Sequence, residues 1–183
     1  CVEIQDGQMR WLSVGDSLLY LLRDGRLKQL NQLHLVSTQL DMMVAFDQLD
    51  RQTALSHPDR HCLTSAITGQ NIPKIDCPDT TLDLQEGDVV LVASDGIDVL
   101  EESEIGAIVD RNQHRTSKKI AEAVMAAVRG VCAIDQDNTS LIVIKIGDRV
   151  QPEDPPSTWF GRNLGGLFQS GPRGADAMAE LDA

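Results

Sequence analysis

Three aspartates, Asp16, Asp95 and Asp137, stand at the boundaries of strand-like segments, where carboxylates meet solvent. Carboxylates carried on rigid strand ends supply the oxygen ligands that a hard divalent cation prefers. Several carboxylates held close together also repel one another, and a bound cation relieves that repulsion. The residue types and their placement therefore predict a site for a metal ion such as Mg²⁺ or Mn²⁺.

The turn around Asp95 is the most informative of the three. It follows Val89–Ala93, a run that is apolar on both faces and is therefore predicted to be a central, buried strand. Ser94 is expected to satisfy a backbone group rather than to act as a nucleophile, and Gly96 and Asn138 are expected to support the metal ligands beside them. Asp-Gly and Asp-Asn are also common turn pairs, so each aspartate alone has a plain structural explanation.

The elements that must position these residues fall into an α+β pattern. Four strands are predicted at residues 2–5, 9–14, 17–22 and 26–30, forming an antiparallel meander with Asp6-Gly7 and Asp24-Gly25 at its tight turns. One or two short helices are predicted within residues 39–54. A short strand at 82–84, two helices after Gly96 and a last strand at 139–146 complete the order, which predicts antiparallel sheet with helices packed on it.

Composition excludes several classes of partner. The 183 residues carry a formal net charge of −12, which argues against binding to nucleic acid or to an anionic membrane surface. No window approaches the roughly 20 apolar residues of a membrane-spanning helix. The four cysteines, Cys1, Cys62, Cys77 and Cys132, form no C-x-x-C pair, so free thiols in a reducing, cytoplasmic setting are expected.

Four motifs in order carry a family resemblance. They are Gly15-Asp16-Ser17, Leu63-Thr64-Ser65-Ala66-Ile67-Thr68-Gly69, Ala93-Ser94-Asp95-Gly96 and Asp137-Asn138-Thr139-Ser140. This order resembles the C-terminal part of the metal-dependent, type 2C (PPM) serine/threonine protein phosphatases, in particular their bacterial members. The resemblance covers about residues 2–147.

The resemblance implies a fold, a metal site and a reaction. The fold would be a partial αββα sandwich of two antiparallel sheets flanked by helices. Asp95 and Asp137 would bind one ion of a catalytic Mn²⁺ or Mg²⁺ pair, and Asp16 with Asp95 would bind a third ion. The nucleophile would be a metal-activated water, so no catalytic side chain is assigned. The substrates would be phosphoserine and phosphothreonine in proteins, opposing a cognate Ser/Thr kinase.

Two departures from the family pattern leave alternatives open. Leu18 follows Ser17 where the family usually has Arg, and no Asp-Gly-His-Gly-Gly motif precedes Asp16. A piece of a longer phosphatase explains this and is the favoured reading, with weak or no catalysis expected of the chain alone; a degenerate relative also explains it. The alternative functions are a pseudophosphatase or regulatory binding module, and a phosphohydrolase of the same fold acting on anti-sigma antagonists.

The remaining segments give weaker predictions. By the resemblance, residues 39–60 would form a flap beside the active site, and His34 is expected to pack at its edge. His57 and His61 have the spacing of helical metal ligands, but Pro58 lies between them and favours a loop. Residues 148–183 are rich in Pro and Gly and are predicted to be a flexible tail that packs back on the domain or carries a docking motif around Trp159.

Overall fold

The computed structural model describes residues 1–131 and 137–147. Within these ranges, strands lie at Val2–Gln5 (β1), Gln8–Trp11 (β2), Leu18–Arg23 (β3), Arg26–Gln29 (β4), Leu82–Asp83 (β5), Val89–Ala93 (β6) and Leu141–Lys145 (β7). The α-helices in the same ranges lie at Val36–Ala45 (α1), Arg51–Leu55 (α2), Glu102–Asn112 (α3) and Ser117–Val131 (α4). The predictions for Cys132 and for residues 148–183 fall outside the described residues.

The strands form two antiparallel sheets. One has the order β1-β2-β5 and the other the order β4-β3-β6-β7. The predicted continuous meander of the first four strands is therefore wrong, because β2 and β3 lie in different sheets. Between them, Ser13 forms an isolated antiparallel bridge with Asp76. The α+β class with two antiparallel sheets and helices is confirmed.

Two tight turns set the register of the hairpins. Asp6 and Gly7 have φ of 51° and 77°, and Asp24 and Gly25 have φ of 51° and 72°. Positive φ at both central residues is the geometry whose twist matches that of the flanking strands. The predicted Asp-Gly hairpins are therefore confirmed, and the second one pairs Arg23 directly with Arg26.

The space between the two sheets is filled by aliphatic side chains. Met9 from β2 packs with Leu19 and Leu21 from β3 and with Val90 from β6, and all four are buried. The outer face of the three-stranded sheet is polar instead, as in the ion pair of 2.7 Å between Glu3 and Arg10. Burial on one face and solvation on the other are typical of antiparallel sheets.

The opposite face of the four-stranded sheet carries α3 and α4. Leu91 of β6 is fully buried there with Ile105 of α3 and Val124 of α4. A capping box begins α3, since Glu101 and Glu104 accept hydrogen bonds from each other's backbone N–H groups. β6 is therefore covered on both faces, as its apolar sequence predicts, and its carboxyl end is held rigidly.

The segment between β4 and β5 is more exposed. α1 buries only Leu40 among its residues, and Met42, Met43 and Phe46 are exposed. His57 and His61 lie in turns rather than on a helix, as Pro58 predicts. No helix within the described ranges is long and apolar enough to cross a membrane.

Candidate metal site

Asp95 begins a single 3-10 turn, Asp95–Ile97, directly after β6. Ile97 is fully buried in the core between the four-stranded sheet and helices α3 and α4, and it anchors this turn. The Asp95 carbonyl oxygen accepts a 2.8 Å hydrogen bond from the Asp98 N–H, which closes the turn. The Asp95 side chain remains exposed, so a fixed backbone presents a carboxylate to solvent.

Ser94 joins this turn to the segment that carries Asp137. Its hydroxyl donates to the Asn138 carbonyl oxygen at 3.2 Å and accepts from the Ser140 N–H at 3.0 Å. Its own N–H donates to the Ser140 carbonyl oxygen at 3.0 Å, which continues the β6–β7 ladder. The Ser94 hydroxyl thus donates to one backbone group and accepts from another, which favours a structural role over a nucleophilic one.

Gly96 allows the two turns to approach closely. A Cβ at this position would lie 2.6 Å from the Thr139 hydroxyl oxygen and 2.7 Å from the Asn138 carbonyl oxygen. Asn138 in turn donates its backbone N–H to Asp137 Oδ1 at 2.6 Å. The sequence prediction that Gly96 and Asn138 support the site therefore corresponds to backbone contacts between the Asp95 and Asp137 segments.

Asp16 lies in the connection between the two sheets, just before β3. It is partly buried, and within residues 1–131 and 137–147 its carboxylate has no hydrogen-bond partner. Its neighbours are held firmly: Gly15 has φ of +102°, a region that favours glycine, and is bonded to His34. The Asp16 carboxylate is therefore free to bind a ligand while its backbone is fixed.

Asp98 is an additional acidic residue that the sequence analysis did not assign. Partial desolvation raises the pKa of its carboxyl, and the negative charges of Asp95 and Asp16 raise that pKa further. The charges of Asp16 and Asp95 therefore both act on Asp98, although Asp16 precedes β3 and the other two lie in the turn after β6. The sequence signal for Asp98 was its position three residues after Asp95, which places both residues in one short turn.

The donor set suits a hard cation, but it is not a closed cage. Carboxylate oxygens at a solvent-exposed edge are ligands that Mg²⁺ and Mn²⁺ accept together with water. In the described part of the chain, however, no three His, Cys, Asp or Glu side chains are grouped closely enough to hold an ion by themselves. The ligand roles of Asp16, Asp95 and Asp137 therefore stay predictions.

Other groups that could do chemistry are placed elsewhere. His57 Nδ1 accepts a 3.2 Å hydrogen bond from the Asp59 N–H, a local turn contact. Cys1, Cys62 and Cys77 are free and exposed, as expected, and none lies in a group that could hold a metal ion.

Comparison with known proteins supports the resemblance to serine/threonine phosphatases. No protein-family model matches the chain. The serine/threonine protein phosphatase PstP of Mycobacterium tuberculosis is 29% identical over 140 residues, which cover 74% of this chain and 24% of that protein. A solved serine/threonine phosphatase of S. agalactiae has a TM-score of 0.64 and 25% identity, covering 79% of this chain and 57% of that one.

The PPM resemblance is confirmed. The chain matches part of a PPM-type serine/threonine phosphatase domain. A further solved structure, the PPM Ser-Thr phosphatase MsPP from Mycobacterium smegmatis in complex with cacodylate, has 27% identity and a TM-score of 0.57. The match covers 80% of this chain and 60% of the MsPP chain. The chain thus spans about a quarter of its curated relatives and under two thirds of the solved PPM-type structures.

Proposed function

We propose that the whole protein is a metal-dependent phosphatase that hydrolyses phosphoserine or phosphothreonine in proteins. The observation that carries this proposal is the junction of two turns, where Ser94 and Gly96 hold the Asp95 segment against the Asp137 segment. Similarity to serine/threonine phosphatases supports the reaction class. Residues 1–147 would be the C-terminal part of the phosphatase domain, and 148–183 a separate tail.

In this proposal the described carboxylates hold divalent cations. Asp95 and Asp137 would bind one ion of a Mn²⁺ or Mg²⁺ pair, and Asp16 with Asp95 would bind a further ion near Asp98. Such ions, when bound, lower the pKa of a shared water and neutralise phosphate oxygens. The chain's own contribution is to fix the ligands, since hydrogen bonds or burial hold the backbone on both sides of Asp16 and Asp95 and on the C-terminal side of Asp137. No protein nucleophile is required.

The partners follow from the reaction. Substrates would be phosphorylated proteins, supplied by a cognate bacterial Ser/Thr kinase, and the setting would be the cytoplasm. The net charge of −12 fits a site that gains cations before it binds an anionic phosphate. Without bound ions, the field of Asp16, Asp95 and Asp98 would repel a phosphoryl group.

A phosphatase assay on the whole protein tests this function. A phosphothreonine peptide should be hydrolysed with Mn²⁺ and not after chelation. Asp95→Asn should lower kcat/KM by about a hundredfold or more, since metal-assisted charge stabilisation contributes several kcal/mol. Asp79→Asn, a change at an exposed loop carboxylate, is the matched control and should retain activity. Metal-independent hydrolysis, or equal activity of the two variants, would refute the proposal.

One observation favours a second candidate, a pseudophosphatase or regulatory binding module. The described residues do not group three metal-ligating side chains, so the fold could present its surface without catalysis. In that case the whole protein would bind a phosphothreonine peptide without hydrolysing it at any Mn²⁺ concentration. Turnover of the peptide excludes this candidate.

A further inference from the structure

Two buried polar side chains, Asn31 and His34, lie in the short segment that follows β4. Asn31 is 5% exposed and His34 is 1% exposed. Both face the connection that carries Asp16, and the sequence analysis assigned neither of them to the site. Buried polar side chains cost free energy unless they form hydrogen bonds, so the partners of these two indicate their purpose.

Asn31 holds the chain on the C-terminal side of Asp16. Its Oδ1 accepts from the Leu19 N–H at 2.8 Å, and its Nδ2 donates to the Ser17 carbonyl oxygen at 2.8 Å. The same Nδ2 donates to the Ser13 hydroxyl at 3.0 Å. One side chain therefore satisfies three groups of the connection and fixes the Ser17–Leu18 peptide, one residue beyond Asp16.

His34 holds the chain on the N-terminal side. Its backbone N–H donates to the Gly15 carbonyl oxygen at 2.8 Å, and its Nδ1 accepts from the Gly15 N–H at 3.1 Å. Because Nδ1 accepts, the neutral ring carries its proton on Nε2. Gly15 is thus bonded through both of its backbone polar groups to one residue.

The histidine is kept at a cost. Its Nε2 is buried without a hydrogen-bond partner in the described part of the chain. An unsatisfied buried donor costs free energy that a leucine of similar volume would avoid. What the ring contributes is the hydrogen bond from the Gly15 N–H to Nδ1. Burial lowers the pKa of His34 and so favours the neutral ring, whose Nδ1 can accept that bond.

The segment is itself anchored, so it can act as a rigid support. The His34 carbonyl oxygen accepts from the Thr64 N–H at 2.7 Å, and the Gln32 N–H donates to Asp76 Oδ2 at 3.0 Å. These bonds attach the segment to the connection between α2 and β5. The carboxylate of Asp16 takes no part in this network, which leaves it available.

We propose that Asn31 and His34 are positioning residues. They fix the backbone on both sides of Asp16, so that its carboxylate is placed for cation binding. The inference rests on the proposed function, in which Asp16 is a metal ligand. Residues that do not touch the metal but orient its ligands contribute to metal affinity, and their loss typically weakens metal binding by about 10- to 100-fold.

A Mg²⁺ titration of the ¹⁵N-labelled chain, followed through the amide signals of Gly15 and Asp16, tests the proposal. His34→Leu should weaken Mg²⁺ binding by about 10- to 100-fold and accelerate hydrogen exchange at the Gly15 amide. His34→Asn keeps an acceptor near the position of Nδ1 and should restore most of both properties. His61→Leu, a change at an exposed histidine, is the control and should alter neither.

The outcomes separate the two hypotheses. If the unchanged chain shows no Mg²⁺-dependent shift at Gly15 and Asp16, both the metal assignment and the positioning role are wrong. If that chain binds and His34→Leu binds equally well while its Gly15 amide exchanges faster, only the positioning role is wrong. Should His34→Leu fail to fold, Asn31→Asp decides instead, because it keeps the acceptor for Leu19 and loses both donors. Unchanged affinity in Asn31→Asp would overturn the proposal.

Discussion

Gly96 and Thr139 are in direct contact, and the Thr139 hydroxyl donates a 2.9 Å hydrogen bond to the Gly96 carbonyl oxygen. A side chain at position 96 would collide with this hydroxyl and with the Asn138 backbone. The glycine is therefore required by close approach of two backbones rather than by an unusual φ. The contact links the turn after β6 to the segment before β7.

Gly96→Ala should destabilise the fold and separate the two turns. Because one of the clashing atoms is backbone, relief requires a main-chain shift, and we expect a loss of about 1–3 kcal/mol in unfolding free energy. Gly130→Ala is the control, since a Cβ there meets nothing within 4 Å and the residue lies in α4. The control should gain roughly 0.5–1 kcal/mol in urea unfolding. Equal stabilities would show that the close approach is absent in solution.

Ser94→Ala removes the hydroxyl that bridges Asn138 and Ser140. Two hydrogen bonds are lost and the Ser140 N–H keeps no partner from that side chain, so the expected cost is about 1–2 kcal/mol. Faster hydrogen exchange at the Ser140 amide would locate the effect. Ser103→Ala, at an exposed position of α3, should change stability by less than about 0.5 kcal/mol. A Ser94→Ala protein with unchanged Ser140 exchange would contradict the bridging role.

Asp88 forms an ion pair that the sequence analysis did not predict, since it lies in a turn before β6. Its buried carboxylate accepts from Arg23 at 2.9 and 2.6 Å and from the Gln85 N–H at 2.8 Å. Burial alone would raise the pKa of Asp88, but the Arg23 and Gln85 hydrogen bonds outweigh it and hold that pKa below its ordinary value of 3.8. The pair also raises the pKa of Arg23.

The depressed pKa of Asp88 makes stability depend on pH in one direction. Its contribution is fully present above the unfolded-state pKa of about 4 and is lost as pH falls through the folded-state pKa. Asp88→Asn should lower the free energy of unfolding by about 2–4 kcal/mol at pH 7. This is less than the loss expected for a fully buried ion pair, because Arg23 remains partly exposed. Urea unfolding should show this difference shrinking below about pH 4.

Glu3→Gln is the matched control for this pair. The Glu3–Arg10 ion pair is more than half exposed at both side chains, so its loss should cost less than about 1 kcal/mol. A cost for Asp88→Asn as small as that for Glu3→Gln would show that the buried pair contributes nothing special.

Local pattern predicted much of the fold. β1 and β6 have the predicted bounds, and the Asp-Gly turns form where expected, because strand alternation and positive-φ turn residues are properties of short segments. Two helices after Gly96 were also predicted, and the second has a continuous apolar stripe. The position of Asp95 in the turn after β6 was predicted because the apolar run Val89–Ala93 fixes where that strand stops.

Long-range pairing could not be predicted in the same way. The meander divides into two sheets because β2 pairs with β5 and β3 pairs with β6, strands that lie more than 60 residues away in the sequence. Apart from the Ser13 hydroxyl, the partners of the Asn31 and His34 side chains are backbone groups, which every residue type carries and which the sequence therefore does not reveal. The nearness of Asp98 to Asp16 likewise arises only when β3 and β6 pair, through Leu18 and Ala93.

The direct test of the metal site is paramagnetic broadening of backbone amide signals by Mn²⁺ in the ¹⁵N-labelled chain. We predict that the amides of Asp16, Asp95 and Asn138 broaden at the lowest Mn²⁺ additions, and that Asp95→Asn abolishes this selectivity. Broadening that begins equally at the exposed acidic residues Glu101, Glu102 and Glu104, or that is unchanged in Asp95→Asn, would contradict a metal site at these strand ends.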